Sequence, residues 1–437
     1  MLTKEENELL CRVEGDAPAG QLMRRYWIPA FMLEEVAEPS GTPLRVKLLG
    51  EELIAFRDSD GRLGVLGEYC PHRRASLAYG RNEEGGVRCL YHGWKMDVEG
   101  NVIDQPSEPA ASRMCDRVKH TSYPVREAGG LGWVYMGPPD LMPEFEQPAF
   151  VKSENTQVSI VKMRVDCNWA QILEGAIDSA HSSTLHSSDI RPARVDRAGM
   201  TRAFMTRPST DKSPRIQVEP TSYGMRYVAI RRPIAQAETH QYVRITTFIA
   251  PFTVLIPPNS DYSLVQLSIP MDDYNTMFYL IAWSDGTRGI DQETWRKFCG
   301  AQVGIDLDQN FNRVHTRAND YLQDRKAMNR GHFTGINGIP NQDIAMWETM
   351  GRIADRTSER LGASDIAIVQ FRRLMVDAIS AFRDGAQPIG TGETHTPHVH
   401  ISSYEGVVPK SVDWRTLGVP APKPTQAEAI KLVAEEN

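Results

Sequence analysis

Short apolar runs separated by turn-forming residues characterise the first third of the chain. Strand-like runs occupy residues 44–49, 53–56 and 132–136. Glycine and glutamate between the first two runs are typical of a turn, and the proline-rich segment 139–148 after the third is typical of a linker. The pattern therefore predicts a small β-domain with an N-terminal extension over residues 1–150, and a second domain over residues 151–437.

The second part of the chain combines longer strands with helices. Strands are predicted at residues 158–165, 226–231, 242–250, 263–270 and 277–283. Helical patterns are found at residues 169–186, 291–325, 343–382 and 425–436. Ser364 is the expected N-cap of the helix that Gly385 stops, and Thr425 with Glu428 forms a capping box for the last helix. The whole pattern predicts an α+β protein.

Composition and charge exclude several classes of protein. The 437 residues are 41% hydrophobic, which is enough for a sizeable core. The net charge of −7 argues against nucleic-acid binding, and no apolar run reaches the length of a membrane span. The first residues are charged and lack the apolar core of a signal peptide, and the six cysteines show no pairing pattern. A reducing cytoplasm is therefore the expected location.

Cysteine and histidine alternate in two short segments of the first domain. One residue separates Cys70 from His72, two separate Cys89 from His92, and sixteen lie between the pairs. Two thiolates on one iron and two imidazoles on the other form a Rieske [2Fe–2S] cluster, which carries one electron. The alternative is a zinc site, although zinc sites usually pair Cys with Cys and His with His. A third histidine-rich segment, residues 395–400, is interpreted as a surface or subunit-contact loop.

A second group of candidate metal ligands ends the helical pattern at residues 169–186. His181 and His186 would point about 140° apart on a continuous helix, so the helix must end or distort if both bind one metal. Two imidazoles and one carboxylate form the facial triad of non-haem iron oxygenases. Asp178 can accept a hydrogen bond from His181, and Glu174 lies one turn earlier. Two ordinary surface histidines are the alternative interpretation.

These two motifs, Cys-x-His-x16-Cys-x2-His and Glu-x3-Asp-x2-His-x4-His, resemble those of the Rieske non-haem iron aromatic-ring hydroxylating oxygenases. The resemblance spans nearly the whole chain, and residues 341–349 extend it to members that act on phthalate and related aromatic carboxylates. It implies an all-β Rieske domain followed by a helix-grip catalytic domain. It also implies two cofactors, a [2Fe–2S] Rieske cluster and a mononuclear Fe(II).

The resemblance further implies a third iron ligand far downstream. Asp343 matches that position at the start of a late helix, where a helix N-terminus would stabilise the carboxylate. Glu348, Asp320 and Asp324 are the competing carboxylates, of which the last two fit a solvated helix face better. Asn168 is expected near the iron by the same analogy.

The resemblance also implies how electrons reach the iron. The subunits would form a head-to-tail trimer or a stacked hexamer, in which Asp178 bridges His72 or His92 of one subunit to His181 of the next. The chain carries no convincing dinucleotide-binding fingerprint. A separate NAD(P)H-dependent flavin and iron–sulfur reductase is therefore the expected electron donor.

The implied reaction adds both atoms of O2 to phthalate and gives cis-4,5-dihydro-4,5-dihydroxyphthalate. Arginine binds carboxylates through paired hydrogen bonds, so Arg207 and Arg244 are expected to hold the aromatic dicarboxylate. Ser179 is expected to face the same pocket, and Arg231 and Arg232 are weaker candidates. A Rieske monooxygenase or O-demethylase that acts on another aromatic carboxylate is one alternative, and a pure electron carrier is another.

Overall fold

The computed structural model describes residues 1–109, 111–112, 114–192, 206–257, 262–286, 289–392 and 395–419. The helix expected at residues 425–436 lies outside these ranges. None of the helices within them is long and apolar enough to cross a membrane.

Three small antiparallel sheets build the first domain. Their strands are β1 (Trp27–Met32), β2 (Leu44–Leu48), β3 (Glu51–Arg57), β4 (Leu63–Gly67), β5 (Arg81–Glu83), β6 (Gly86–Arg88), β7 (Lys95–Asp97), β8 (Val102–Asp104), β9 (Ser122–Tyr123), β10 (Val125–Ala128) and β11 (Leu131–Tyr135). The sheets have the orders β1-β11-β10, β2-β3-β4-β9 and β5-β6-β7-β8. The three predicted strands are confirmed, and Gly50, with φ 84°, permits the tight turn between β2 and β3.

One large antiparallel sheet dominates the second domain. Its strands are β12 (Gln157–Val165), β15 (Arg215–Thr221), β16 (Gly224–Arg231), β17 (His240–Ile249), β18 (Thr253–Ile256), β19 (Ser263–Pro270), β20 (Thr276–Ser284) and β21 (Tyr404–Pro409), while the short β13 (Arg191–Pro192) and β14 (Thr206–Arg207) pair with each other. The order is β12-β20-β19-β18-β17-β16-β15, with β21 paired to β17. All five predicted strands of this domain lie in this sheet, and the α+β class is confirmed.

The helices of the second domain are shorter than the sequence pattern suggested. They are α3 (Trp169–Ile177), α4 (Gln292–Cys299), α5 (Arg325–Asn329), α6 (Ile339–Thr349) and α7 (Ile366–Arg383). The pattern at residues 291–325 is wrong beyond α4, because Gly300 adopts a left-handed conformation and ends that helix. Asp365, rather than Ser364, is the N-cap residue of α7, whereas Gly385 follows its C-cap as predicted.

Helices α3, α6 and α7 lie near the sheet and supply much of the buried core. Phe371 of α7 meets Phe248 of β17 edge to face at 5.2 Å between ring centroids. Trp347 of α6 lies 5.8 Å from Phe278 of β20, and Trp169 of α3 is fully buried. Helices α3 and α6 also contact each other directly, and they lie side by side on the sheet.

The chain before β1 packs on the second domain, although the prediction grouped it with the first. Helices α1 (Lys4–Cys11) and α2 (Pro18–Met23) both contact α7. The Asn7 amide donates to Ala354 O at 3.1 Å, and the Val13 N–H donates to Asp273 Oδ1 at 2.8 Å. The N-terminal extension therefore ties the two domains together. A buried ion pair between Lys162 Nζ and Glu35 Oε1 (2.7 Å) ties them a second time.

Candidate metal centres

The two cysteines of the first motif lie buried together between the small sheets. Cys70 follows β4 and Cys89 follows β6, and both are almost completely shielded from solvent. Each starts a tight turn: the Arg74 N–H donates to Cys70 O at 2.9 Å, and the Gly93 N–H donates to Cys89 O at 3.0 Å. Burial raises the pKa of the Cys70 thiol to about 11. A bound cation would reverse that shift, because thiolates are the form that binds metals.

The two histidines of the motif lie on the outer side of the same loops. The His72 and His92 rings are 4.5 Å apart between centroids, and His72 stacks on Trp94 at 4.7 Å. His92 Nδ1 is buried and has no hydrogen-bond partner in the described part of the chain. A buried imidazole nitrogen without a partner fits a metal ligand. Two inner thiols and two outer imidazoles therefore match the donor set of a Rieske cluster.

His181, His186 and Asp343 form the second centre, in the catalytic domain. One ligand atom from each lies within 4.8 Å of the others, and no other such group of three is found in the described ranges. Asp343 Oδ1 lies 3.4 Å from His181 Nε2 and 3.1 Å from His186 Nε2. Two nitrogen donors and one carboxylate facing a common point could hold a divalent iron.

The end of α3 brings the two histidines to the same side. The helix stops at Ile177, and Asp178 Oδ1 accepts backbone N–H groups from Ala180 (2.7 Å) and His181 (3.3 Å). A short 3₁₀ turn then runs over His181–Ser183. The helix therefore ends before both ligands, which removes the 140° separation that a continuous helix would impose. The ring centroids lie 5.2 Å apart.

Carboxylates surround the His181 ring on both sides. Asp178 Oδ2 lies 3.4 Å from Nδ1, while Asp343 approaches Nε2. Burial alone would lower the pKa of His181, but hydrogen bonds and charge from the two acids raise it to about 10. Burial likewise opposes ionisation of Asp343, yet the neighbouring His186 and His181 hold the pKa of that carboxyl below its ordinary value. The site therefore favours a cation at its centre.

Asp343 does not open its helix, which corrects the prediction. Helix α6 begins at Ile339, so Asp343 lies in the second turn, and the helix N-terminus is not its source of stabilisation. The competing acids are used elsewhere: Glu348 pairs with Arg313 and with Tyr321 OH, and Asp324 caps α5.

A hydrogen-bonded amide lies behind His186. Gln342 Oε1 is 2.9 Å from His186 Nδ1, and Gln342 Nε2 donates to Asp189 Oδ2 at 2.8 Å and to Ile336 O at 2.9 Å. Sequence reasoning did not single out Gln342. Its position next to Asp343 was the available signal.

A cavity of about 100 Å³ opens beside the triad. Arg207, Arg244 and Ser179 line it together with the three candidate ligands. Arg244 donates to Glu405 Oε2 (3.3 Å) and to Pro257 O (3.0 Å). Ser179 Oγ lies 2.9 Å from Tyr227 OH. The structure thus brings together the residues that the sequence suggested for substrate binding.

Arg207 and Arg231 are held by neutral groups on the loop that carries His181. Arg207 donates to the hydroxyls of Ser182 and Ser183, both at 2.9 Å. Arg231, also buried, donates to Ser179 O at 2.6 Å. Arg232, by contrast, is exposed to solvent.

Asn168, which was expected near the iron, lies elsewhere. Asn168 is the N-cap of α3, at the opposite end of that helix from Asp178, and its amide donates to Cys11 O (2.9 Å) and Asp273 O (2.8 Å). Its side chain therefore supports the fold and not the metal centre. Glu174, the first residue of the second motif, forms ion pairs with Arg356 and Arg372 in a separate buried cluster.

The histidine-rich loop at residues 395–400 borders a larger cavity of about 400 Å³ between the domains. Glu146 fixes this loop, since it pairs with the His395 ring and accepts the His398 N–H at 3.1 Å. Trp27, Trp133 and other apolar side chains form most of the wall. In the described residues this loop forms no three-residue metal group.

Comparisons with known proteins match both parts of the chain to known families. The Rieske [2Fe-2S] domain family matches residues 26–124, and the family described as LigXa C-terminal domain like matches residues 134–436. The chain therefore belongs to the Rieske non-haem iron aromatic-ring hydroxylating oxygenases. It is an oxidoreductase whose cofactors are a Rieske [2Fe–2S] cluster and a mononuclear iron.

The chain is also similar to individual proteins of known activity or structure. The chain is 61% identical over 415 residues to the phthalate 4,5-dioxygenase oxygenase subunit of Pseudomonas putida. The matched region covers 95% of this chain and 94% of that relative. It is 36% identical to the 3-chlorobenzoate-3,4-dioxygenase oxygenase subunit of Comamonas testosteroni, over 95% and 98% of the two chains. The terminal oxygenase of carbazole 1,9a-dioxygenase from Nocardioides aromaticivorans IC177 has the same fold, with a TM-score of 0.56 and 17% identity over 86% of this chain and 96% of the other.

Proposed function

We propose that this chain is the oxygenase component that converts phthalate and O2 to cis-4,5-dihydro-4,5-dihydroxyphthalate. Electrons would come from a separate NAD(P)H-dependent flavin and iron–sulfur reductase, and the proposed location is the cytoplasm, where NAD(P)H is available. The observation that carries the proposal is that Arg207 and Arg244, both buried, line the same cavity as the His181, His186 and Asp343 triad. The 61% identity to a phthalate 4,5-dioxygenase subunit supports it.

The residues present fit both cofactors. Cys70 and Cys89 would hold the inner iron of the cluster, and His72 and His92 the outer one. His181, His186 and Asp343 would hold the mononuclear iron. When bound, the mononuclear iron supplies O2 activation and the cluster supplies electrons one at a time.

The cavity would bind the substrate by its two carboxylates. Arg207 is buried, and within the described residues its guanidinium donates to serine hydroxyls rather than to an acid. A buried cation of this kind gains from an anionic ligand. Arg244, which also pairs with Glu405, would supply the second guanidinium nearby. Phe278, Leu264 and Leu280 add apolar wall against which an aromatic ring can pack.

Asp178 would link the two centres across a subunit interface. Its carboxylate accepts two backbone N–H groups and so holds the loop of His181. About one fifth of the Asp178 side chain, 21%, is exposed to solvent. We propose that His72 or His92 of a neighbouring subunit meets this edge in a trimer or stacked hexamer. Residues 1–150 would then deliver electrons, and residues 151–437 would perform the chemistry.

Turnover with related aromatic acids tests the proposed substrate. The purified oxygenase, with a reductase and NADH, is assayed against phthalate, isophthalate, terephthalate and benzoate. Because benzoate lacks one carboxylate, losing one charge-assisted contact of about 2–3 kcal/mol should lower its kcat/KM by about 30–150-fold relative to phthalate. Equal kcat/KM values for phthalate and benzoate would refute recognition of a diacid.

A further inference from the structure

The side chain of Gln342 occupies a position in which all its hydrogen-bonding groups are used. It is completely buried in α6, directly before Asp343. Its Nε2 lies 2.8 Å from the Asp189 carboxylate and 2.9 Å from the Ile336 carbonyl, which are both acceptors. Only the NH2 end of the amide can satisfy two acceptors, so the orientation of the amide is fixed.

This orientation determines which nitrogen of His186 carries the proton. With Nε2 of Gln342 turned to Asp189, Oε1 must face His186 Nδ1, 2.9 Å away. An amide oxygen only accepts hydrogen bonds, so His186 Nδ1 is the donor. The lone pair of the neutral ring is then on Nε2, which points to Asp343 Oδ1 at 3.1 Å.

We propose that Gln342, held by Asp189, is a positioning residue that fixes His186 in the ring orientation and tautomer required to bind the mononuclear iron. The inference rests on the proposed function, since it concerns the same metal site. His181 has a different support, because its Nδ1 faces the Asp178 carboxylate. The two histidines are thus held by separate groups, and Gln342 acts on the metal without contact with the Asp178 edge that would face a neighbouring subunit.

Metal titration of the full-length protein tests this role. The mononuclear metal is removed with a mild chelator while the cluster is retained, and the site is titrated with Co²⁺ while its d–d absorption is recorded. Gln342→Met keeps the length of the side chain but removes the strong acceptor. Loss of such a support for a ligating histidine should weaken Co²⁺ binding by about 10–100-fold. The visible spectrum of the cluster should stay unchanged, because Gln342 is remote in sequence and domain from the cluster loops.

A second pair of variants tests the hydrogen bonds of residue 342 while the size of its side chain stays nearly constant. In Gln342→Glu the acceptor for His186 is kept, but a second carboxylate oxygen faces Asp189. Adding Asp189→Asn supplies an amide donor for that oxygen. The double variant should therefore bind Co²⁺ at least about tenfold more tightly than Gln342→Glu alone, because loss of a hydrogen-bonded support of a ligating histidine usually costs about 10–100-fold in metal affinity. This comparison remains valid if Gln342→Met fails to fold.

Gln171 provides a matched control. It is a buried glutamine of α3 whose amide donates to Trp347 O and Gly351 O, both at 2.8 Å, away from the triad. Gln171→Met should reduce stability but leave the Co²⁺ affinity within about threefold of wild type, since it touches no candidate ligand. Wild-type affinity in Gln342→Met, or equal affinity in the single and double variants, would overturn the positioning role. Failure of the wild-type protein to bind Co²⁺ at all would instead refute the metal centre itself.

Discussion

Gly175 of α3 lies directly against the indole ring of Trp347 of α6. A β-carbon built on Gly175 would come within 2.3 Å of Trp347 Nε1, so only glycine permits this approach. Asp178 and His181 follow the end of α3, and Asp343 lies in α6. This contact therefore limits how closely α6, which carries Asp343, approaches α3, whose C-terminal end leads into the loop with His181 and His186.

Replacing Gly175 should disturb both stability and metal binding. In Gly175→Ala the added methyl group forces α3 and α6 apart, which should cost about 1–3 kcal/mol, as overpacking in cores usually does. The urea midpoint should fall, and the iron content of the catalytic domain should fall with it. Gly362→Ala is the control, because a β-carbon there meets nothing closer than 3.7 Å. Equal effects of the two substitutions on the urea midpoint and the iron content would show that the close approach of α3 and α6 does not determine stability or metal binding.

The two cavity arginines should control affinity for the diacid. Arg207→Ala and Arg244→Ala each remove a charge-assisted contact of about 2–3 kcal/mol, so the KM for phthalate should rise about 30–150-fold in each. Arg232→Ala, at an exposed position, should leave KM unchanged. Steady-state kinetics with phthalate measures all three. An unchanged KM for phthalate in both cavity variants would contradict the proposal that the cavity binds an aromatic dicarboxylate.

Asp178→Asn should separate metal binding from electron delivery. Asparagine can still accept the Ala180 N–H, so the loop should be retained, and the protein is loaded with excess Fe(II) so that the lost carboxylate beside His181 Nδ1 does not lower the metal content. The charge that would face a neighbouring Rieske histidine is lost, and cluster oxidation in a single turnover should slow by about 100-fold or more. Stopped-flow absorbance of the reduced cluster measures the rate, and iron analysis checks the metals. Wild-type kinetics would contradict the proposed bridge.

The buried acid Glu174 should support the fold in a pH-dependent way. Burial opposes its ionisation, but Arg356 and Arg372 hold the pKa of Glu174 below its ordinary value. The resulting stability is complete above the unfolded pKa of about 4.5 and is lost as the pH falls through the lower folded pKa. Glu174→Gln should therefore cost about 3–5 kcal/mol at pH 7, because it leaves buried arginines without their counter-charge.

Urea unfolding at several pH values checks this prediction. The stability gap between wild type and Glu174→Gln should be constant from pH 6 to 8 and should shrink below about pH 4.5. Glu238→Gln, at a fully exposed site, should show no gap at any pH. A gap that widens towards acid would contradict the assigned direction of the pKa shift.

Short-range patterns account for much of what the sequence predicted. The Rieske motif is predictable because its ligands lie in two turns, each within a few residues. The helix end before His181 follows from the same kind of local reasoning, since two ligands five residues apart cannot share a helix face. The start of α6 was misplaced, although Pro340 in its first turn was a usable signal.

Long-range partners could not be predicted in the same way. Glu174 belongs to the second sequence motif, but its partners Arg356 and Arg372 lie nearly two hundred residues away in sequence. Asn168 was misplaced for a similar reason, since its amide bonds to Cys11 and Asp273 in distant segments. The support of His186 by Gln342 likewise exists only once α6 packs behind the loop that follows α3.

Isotopic analysis of a single turnover tests the central claim most directly. The reduced holoprotein is mixed with phthalate under ¹⁸O2, and the product is analysed by mass spectrometry. A ring dioxygenase should give the cis-dihydrodiol of phthalate with both oxygen atoms labelled. A product with one labelled atom would indicate a monooxygenase, and oxidation of the cluster without any hydroxylated product would contradict the assignment of this chain as a phthalate-hydroxylating oxygenase.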